Sequence, residues 1–142
     1  MQETRYTWED FDNDIRIISG FISASGWFPD FIIGVKRGGL IPAVRLSHIL
    51  KIPMKIASTD NNNISIELKN VSKSDRLLLV DEICDSGDTL QKIRHDLLLG
   101  GYIEVRSACL YYNIRQSFIA DYYARKIDRD KNNNWIVFPW ES

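Results

Sequence analysis

LLLVDEICDSGDTL, from Leu77 to Leu90, gives the clearest structural signal in this 142-residue chain. Its first four residues, Leu77 to Val80, have the length and continuity of a strand that is buried on both faces of a parallel sheet. Gly87 then marks a turn, and the apolar residues that follow recur at helical spacing. The stretch therefore predicts a strand, a polar loop and a helix N-terminus, as in an α/β protein.

The polar residues of the loop are suited to a phosphorylated ligand. The amides of Ser86, Gly87, Asp88 and Thr89 can converge on an anion, because the first N–H groups of a helix lack internal partners and carry the positive end of its dipole. The plain alternative is that Asp85 or Ser86 only caps the helix. Capping explains one polar residue and leaves the others unexplained, so we favour the anion site.

Two adjacent carboxylates, Asp81 and Glu82, follow the apolar run at the sheet edge where α/β proteins bind ligands. Carboxylates accept hydrogen bonds from sugar hydroxyls, and they also hold divalent cations through oxygen. Beside an anion-binding loop, the pair predicts a sugar phosphate ligand with Mg²⁺ as a plausible cation. Asp81 and Glu82 are then the candidate metal ligands.

A second strand and loop precede this unit. The apolar run from Phe31 to Val35 leads into Lys36, Arg37, Gly38 and Gly39 and then into another helical pattern. Two glycines let the backbone approach an oxyanion closely, and the adjacent cations neutralise it. A loop of this kind is more often a solvated connection, but together with the first loop it predicts a second anion site.

Composition and charge exclude several classes of protein. Apolar residues make up 44% of the chain and charged residues 26%, which is typical of a globular protein, and we expect residues 1–142 to form one domain. A formal net charge of −1 gives no general attraction to nucleic acid or to membranes. No apolar run approaches the ~20 residues of a membrane span. Cys84 and Cys109 do not make a disulfide framework, which favours a reducing cytoplasm.

The remaining segments predict further elements of an α/β fold. Thr7 begins a capping box and a helical pattern that runs to Ser25, and the stretch from Glu104 to Tyr112 reads as another strand. Residues 59–74 are polar and enclose a short alternating pattern, which fits either a mobile loop or a surface hairpin. The tail from Trp135 to Glu141 is rich in aromatic residues, which predicts an edge strand held in place by its aromatic side chains.

At its polar residues, LLLVDEICDSGDTL resembles the phosphoribosyl diphosphate motif of the type I phosphoribosyltransferases. The resemblance implies that Asp81 and Glu82 contact the ribose hydroxyls and that the loop from Asp85 to Thr89 holds the 5′-phosphate. It also places Asp85 near the base nitrogen that is glycosylated, as the catalytic group. Asp88 stands at a position that is often basic or small in relatives, so its side chain is expected to point away from the phosphate.

VKRGGLIPA, around the second loop, resembles the SRGGLxP loop of the xanthine-guanine phosphoribosyltransferases. The resemblance implies that Lys36, Arg37, Gly38 and Gly39 hold the diphosphate leaving group, and in that family the matching peptide between Lys36 and Arg37 can be cis. By the same resemblance, residues 59–74 form a hood that closes over the sugar diphosphate.

WIVFPWE resembles the WIxxPW segment near the end of the same enzymes, which implies that Trp135 and Ile136 flank a purine. One position departs from the family pattern. A lysine that donates to the purine O6 is replaced here by Asn113, whose amide can still donate but carries no charge. The nearby Arg115 is a possible replacement donor, so the preferred base stays open.

The expected protein is an α/β phosphoribosyltransferase with a mainly parallel central sheet, flanking helices and a small hood. Its expected reaction is transfer of a 5-phosphoribosyl group from phosphoribosyl diphosphate to guanine, xanthine or hypoxanthine with Mg²⁺. The alternatives are a non-catalytic sensor of phosphoribosyl diphosphate and an enzyme for adenine or a pyrimidine. We expect no nucleic acid or membrane partner, and self-association into a homo-oligomer through exposed apolar residues.

Overall fold

The computed structural model describes residues 2–61 and 63–141. Eleven elements follow one another along the chain. In chain order they are β1 (Glu3–Arg5), α1 (Trp8–Ser25), β2 (Phe31–Val35), α2 (Leu40–Leu50), β3 (Met54–Asp60), β4 (Asn63–Ile66), β5 (Arg76–Cys84), α3 (Asp88–Leu99), β6 (Glu104–Asn113), β7 (Tyr122–Ile127) and β8 (Trp135–Val137). The alternation of strands and helices agrees with the α/β prediction.

Six strands form the central sheet in the order β4-β3-β2-β5-β6-β7, and all neighbours are parallel except β3 and β4. The two innermost strands, β2 and β5, are the ones that carry the predicted anion loops. Gly34 of β2 lies beside Val80 of β5, so the loop that follows β2 emerges next to Asp81 and Glu82. Parallel pairing thus brings two segments about 45 residues apart to one edge of the sheet.

The predicted end of β5 was wrong by four residues. Asp81 and Glu82 lie within the strand, which continues to Cys84. The pairing with β2 ends at Val80, but β6 is longer and still pairs with β5 at Cys84. The acidic pair therefore stands on a strand that is supported from one side only, which leaves its other side open to a ligand.

Helices cover both faces of the sheet, as predicted. Apolar side chains of α1 and α2 pack with Leu78 and Val80 on one face, whereas those of α3 pack with Leu77 and Leu79 on the other. The alternation along β5 puts successive side chains on opposite faces, and each face needs a helical layer to exclude water. At the start of α1, Thr7 and Asp10 form the predicted capping box, with bonds of 2.9 and 3.0 Å.

The segment predicted as a hood begins in a hairpin at the sheet edge. β4 pairs antiparallel with β3, and four apolar residues in or after it pack against the core. These residues are Ile64, Ile66, Leu68 and Val71. Of the two predicted alternatives, the structure shows the hairpin, and its apolar side chains anchor it to the core. Closure of the hairpin over a ligand stays a prediction.

Two strands lie outside the central sheet. β1 and β8 pair with each other in parallel, with Thr4 beside Ile136, and so attach the aromatic tail to the start of the chain. In the part of the chain that the structure describes, no helix combines the length and the apolar character that crossing a membrane requires.

Candidate active site

The β5–α3 loop encloses a cleft of about 250 Å³ between the acidic pair and the first turn of α3. Gly87 has a φ of 81°, and a Cβ there would lie 2.6 Å from both Gln116 Oε1 and Phe118 Cβ. Glycine is therefore required on both conformational and steric grounds. The Asp88 amide donates to Ser86 Oγ at 3.2 Å, and α3 then starts with its amides free of helical partners. The predicted anion loop is thus a strand-to-helix turn with open amides.

The loop from Lys36 to Gly39 is packed tightly onto β5. A Cβ on Gly38 would overlap the carboxylate of Glu82, and a Cβ on Gly39 would overlap the carbonyl oxygen of Val80. Gly39 is therefore needed for the approach of two backbones, whereas a side chain at position 38 would displace the Glu82 carboxylate. The peptide bond between Lys36 and Arg37 is cis. The structure thus brings this loop against the acidic pair.

The acidic pair is held in an environment that disfavours two negative charges. Burial, with a further contribution from the charge of Glu82, raises the pKa of Asp81 to about 8. Burial also raises the pKa of Glu82, and the charge of Glu141 adds to the effect. Ligand groups such as hydroxyls or a cation would stabilise the ionised carboxylates and lower these pKa values. Perturbed carboxylates in a cleft are typical of a functional site.

A second cleft, of about 650 Å³, lies on the other side of Glu82. Besides that residue, its lining includes Arg37, Gly38, Trp140 and Glu141. Trp140 and Glu141 belong to the tail, and we predicted no individual role for either residue from the sequence. Their position could be found only from the pairing of β1 with β8, which folds the tail back over the sheet edge. Glu82 lines both clefts, so the two are adjacent parts of one site.

The tail presents one exposed ring and one buried anchor. Trp135 is 58% exposed, whereas Ile136 is 5% exposed and packs in the core. The backbone N–H of Trp135 donates to the Gln2 carbonyl at 2.9 Å. The Trp135 ring is thus accessible for stacking, and Ile136 can contact a ligand through its backbone alone. Their role towards a base stays a prediction.

Asn113 lies at the end of β6 and is 7% exposed. Its Nδ2 donates to the carbonyl oxygen of Asp85 at 3.0 Å, and its Oδ1 accepts from the backbone N–H groups of Arg115 and Arg129 at 3.1 and 3.3 Å. Both ends of the amide are therefore occupied by the protein. Asn113 ties the end of β6 to the phosphate loop, and its contact with a base remains untested.

Arg129 was not singled out by the sequence, yet its guanidinium lies against Asp85. Nε is 3.2 Å from both carboxylate oxygens, and Nη2 is 3.1 Å from Oδ2. Arg115, considered as a donor to the base, instead pairs with Asp128 at 2.8 Å and with Asp130 at 3.4 Å. No sequence signal distinguished the two arginines, because the partner of Arg129 is 44 residues away.

A phosphoribosyl transferase domain model matches residues 6–142. The chain belongs to the phosphoribosyltransferase family. A purine phosphoribosyltransferase from Pyrococcus horikoshii Ot3 superposes with a TM-score of 0.86 and is 38% identical, with 100% of this chain and 96% of that chain covered. The fold predicted from the sequence is therefore confirmed as that of the type I phosphoribosyltransferases.

Other relatives of this phosphoribosyltransferase are more distant. The xanthine-guanine phosphoribosyltransferase of Nitratidesulfovibrio vulgaris strain Hildenborough is 27% identical over 144 residues, which cover 96% of this chain and 83% of that protein. The structure of a hypothetical protein from Neisseria gonorrhoeae with bound ppGpp is 25% identical to this chain and superposes with a TM-score of 0.79. The match covers 99% of this chain and 90% of the N. gonorrhoeae chain.

Proposed function

We propose that this phosphoribosyltransferase transfers the 5-phosphoribosyl group of phosphoribosyl diphosphate to a purine base in nucleotide salvage, which gives a nucleoside monophosphate and diphosphate. The observation that carries the proposal is the position of Glu82, which lines both clefts of the site. A ligand with a phosphate at one end, a diphosphate at the other and a diol between them spans two such clefts. The purine named for the relatives from P. horikoshii and N. vulgaris supports the choice of base.

Each part of the ligand has a complementary group. The 5′-phosphate binds backbone amides of the loop from Ser86 to Thr89, where the Asp88 amide exchanges its bond to Ser86 Oγ for the phosphate, and the ribose hydroxyls donate to Asp81 and Glu82. The diphosphate lies in the larger cleft against Arg37 and the backbone of Gly38. As the bond from the anomeric carbon to diphosphate lengthens, negative charge builds up on the leaving group, and the cationic loop stabilises it.

The acidic pair also fits Mg²⁺. Among the described residues, no group of three or more His, Cys, Asp or Glu side chains could hold a metal ion. Mg²⁺ is usually held by one or two carboxylates together with substrate phosphates and water. Asp81 and Glu82 are the proposed ligands, and burial raises the pKa of both carboxylates. When bound, the ion would supply charge neutralisation at the diphosphate.

Asp85 is the proposed acceptor of the base proton. Its carboxylate is 47% exposed, so a base can reach it, and it lies on the same loop as the phosphate site. A positioned general base contributes about 10²–10⁴-fold to a rate. We therefore expect Asp85→Asn to keep the melting temperature within a few degrees and to lower kcat by about 10²–10⁴-fold. Unchanged turnover would remove Asp85 from the mechanism.

A base panel tests the reaction itself. Release of diphosphate is measured with guanine, xanthine, hypoxanthine, adenine and uracil, each with phosphoribosyl diphosphate and with or without Mg²⁺. Release that requires a purine and Mg²⁺ supports the proposal. Tight binding of phosphoribosyl diphosphate without release in the presence of any base would instead favour a non-catalytic sensor. The N. gonorrhoeae relative binds ppGpp in its crystal structure, which favours testing a non-catalytic sensor as the second candidate. The binding assay should therefore include ppGpp.

We further propose a cytoplasmic homo-oligomer. Cys84 and Cys109 are buried free thiols, as in proteins of a reducing compartment. Ile17 and Phe21 of α1 are 43% and 53% exposed beside a cleft of about 710 Å³ next to β7, which is an apolar surface of the kind that partners cover. Sedimentation velocity over a range of protein concentrations measures the assembly.

A further inference from the structure

Arg129 stands at the junction of the two segments that meet at the base side of the site. Its Nε and Nη2 contact the carboxylate of Asp85, on the phosphate loop. Its Nη1 donates to the carbonyl oxygens of Asn132 and Asn134 at 3.3 and 2.7 Å, directly before Trp135. One side chain therefore fixes the distance between the proposed proton acceptor and the exposed aromatic ring.

The guanidinium is shielded, but it is not fully used by the protein. The Arg129 side chain is 19% exposed, and its hydrogen bonds with the described residues use the Nε hydrogen and both Nη1 hydrogens, whereas Nη2 lies 3.1 Å from Asp85 Oδ2 as an ion pair. Arginine has five N–H donors in a fixed plane, so one donor on Nη2 is left beside Asp85. A partly desolvated charged donor forms a stronger hydrogen bond than a solvated one.

The Asp85 carboxylate is a hydrogen-bond acceptor, and the Nη2 group of Arg129 places a donor next to it. A 6-oxopurine whose proton is on N7 presents the complementary edge, because N7–H donates and the neighbouring O6 accepts. Adenine carries an amino group in place of O6 and presents two donors along the same edge. The free donor of Arg129 would then face another donor, which leaves a shielded charge without its partner.

We propose that Arg129 is the specificity-determining residue for the base and that it donates a hydrogen bond to O6 of a 6-oxopurine while Asp85 accepts the N7 proton. The inference rests on the proposed function. In the reaction, the bond from N9 to the anomeric carbon forms as the bond from that carbon to diphosphate breaks with its electron pair. The N7 proton passes to Asp85, and the electron density that shifts towards O6 is stabilised by Arg129.

The alternative is that Arg129 only holds Asp85 and the segment before β8 in place. A residue with that role would affect all bases equally, because it acts on the geometry of the site and not on one atom of the base. Substrates that differ at the 6-position alone separate the two roles. Guanine and 6-thioguanine are such a pair, since sulfur is a much weaker acceptor than a carbonyl oxygen.

The test is the ratio of kcat/KM for guanine to kcat/KM for 6-thioguanine, measured by diphosphate release with wild type, Arg129→Gln, Arg129→Lys and Arg115→Gln. We expect Arg129→Gln to lower kcat/KM for guanine about 10²-fold or more and to reduce the ratio at least tenfold. Arg129→Lys keeps a charged donor and is expected to keep the preference for guanine. Arg115→Gln removes the rival arginine on the same segment and is expected to leave the ratio unchanged.

Three results would overturn the inference. One is an equal loss for both bases in Arg129→Gln, and another is a collapse of the ratio in Arg115→Gln. If thermal melting shows that Arg129→Gln does not fold, Arg129→Lys decides, and loss of the guanine preference in that variant is the third. A wild type that releases no diphosphate with any base would refute the proposed function, and this inference with it, whereas the three results refute the inference alone.

Discussion

The buried carboxylate of Asp14 should be among the most sensitive positions for stability. Its side chain is 3% exposed, and its Oδ2 accepts from Tyr6 Oη and from Arg125 Nε, both at 2.7 Å. Arg125 also pairs with Asp10 at 3.2 Å. The bonds join α1 to β7 and to the residue that follows β1. Asp14→Ala removes the shared acceptor and leaves the buried Tyr6 hydroxyl without its partner.

The expected loss of stability follows from these contacts. A hydrogen bond to a charged group contributes roughly 1.5–3 kcal/mol, and Asp14 accepts two. The Arg125 side chain is 37% exposed and keeps its contact with Asp10, so its charge is not left buried, and we take the lower end of the range. The sum is about 3 kcal/mol. At about 3 °C per kcal/mol for a chain of this size, the melting temperature should fall by about 9 °C.

Urea unfolding and thermal melting of the ligand-free protein measure this loss. Asp10→Asn is the matched control, because it weakens the exposed ion pair to the same arginine and leaves Asp14 in place. An exposed pair contributes under about 1 kcal/mol, so the control should lose much less stability. Equal losses in the two variants, or a loss below about 1 kcal/mol for Asp14→Ala, would refute the view that the buried acceptor organises this corner of the fold.

The two remaining predictions concern the site. Gly38→Ala places a methyl group on the carboxylate of Glu82, so we expect a melting temperature within a few degrees of wild type and at least a tenfold higher KM for phosphoribosyl diphosphate, measured by diphosphate release. Normal KM would show that the loop does not need this close contact. Asn113→Lys restores the family lysine, but the amide that it removes binds Asp85 and two backbone N–H groups, so turnover with guanine should fall and not rise. A rise would give position 113 a direct contact with the base.

The sequence predicted those parts of the fold that depend on local patterns. The capping box at Thr7, the helices α1 to α3 and the strands that carry the two loops are confirmed, because each has its own periodicity and start or stop signal. β7 was missed, since two basic residues, one of them half-buried, interrupt the apolar residues of its sequence, YYARKI. The half-buried residue is Arg125, and its partner Asp14 is 111 residues away.

The candidate site was predictable to the same extent. Each anion loop has a local signature of glycines beside charged or hydroxyl residues, but the pairing of β2 with β5 that brings the two loops together has no such signature. The residues that connect the loops to the base side of the site were not predictable. Arg129 is one of several charged residues in a polar segment, and only the folded chain distinguishes it from Arg115. The sequence identified Asn113 as a departure from the family but not the network that it joins.

A bound ligand should stabilise the folded state at the ligand edge of the sheet, where Asp81 and Glu82 lie. Asp81, with a pKa of about 8, holds a proton near neutral pH in the folded protein that it would lose in the unfolded chain. The folded state therefore loses stability relative to the unfolded state as pH rises from about 4 towards 8. A ligand whose hydroxyls donate to the ionised carboxylate reverses this effect, because binding to the folded state alone adds to its stability. The far side of the molecule needs no such ligand, since the carboxylate of Asp14 has its donors within the chain. The difference separates a carboxylate with partners inside the fold from a pair that we propose binds a ligand.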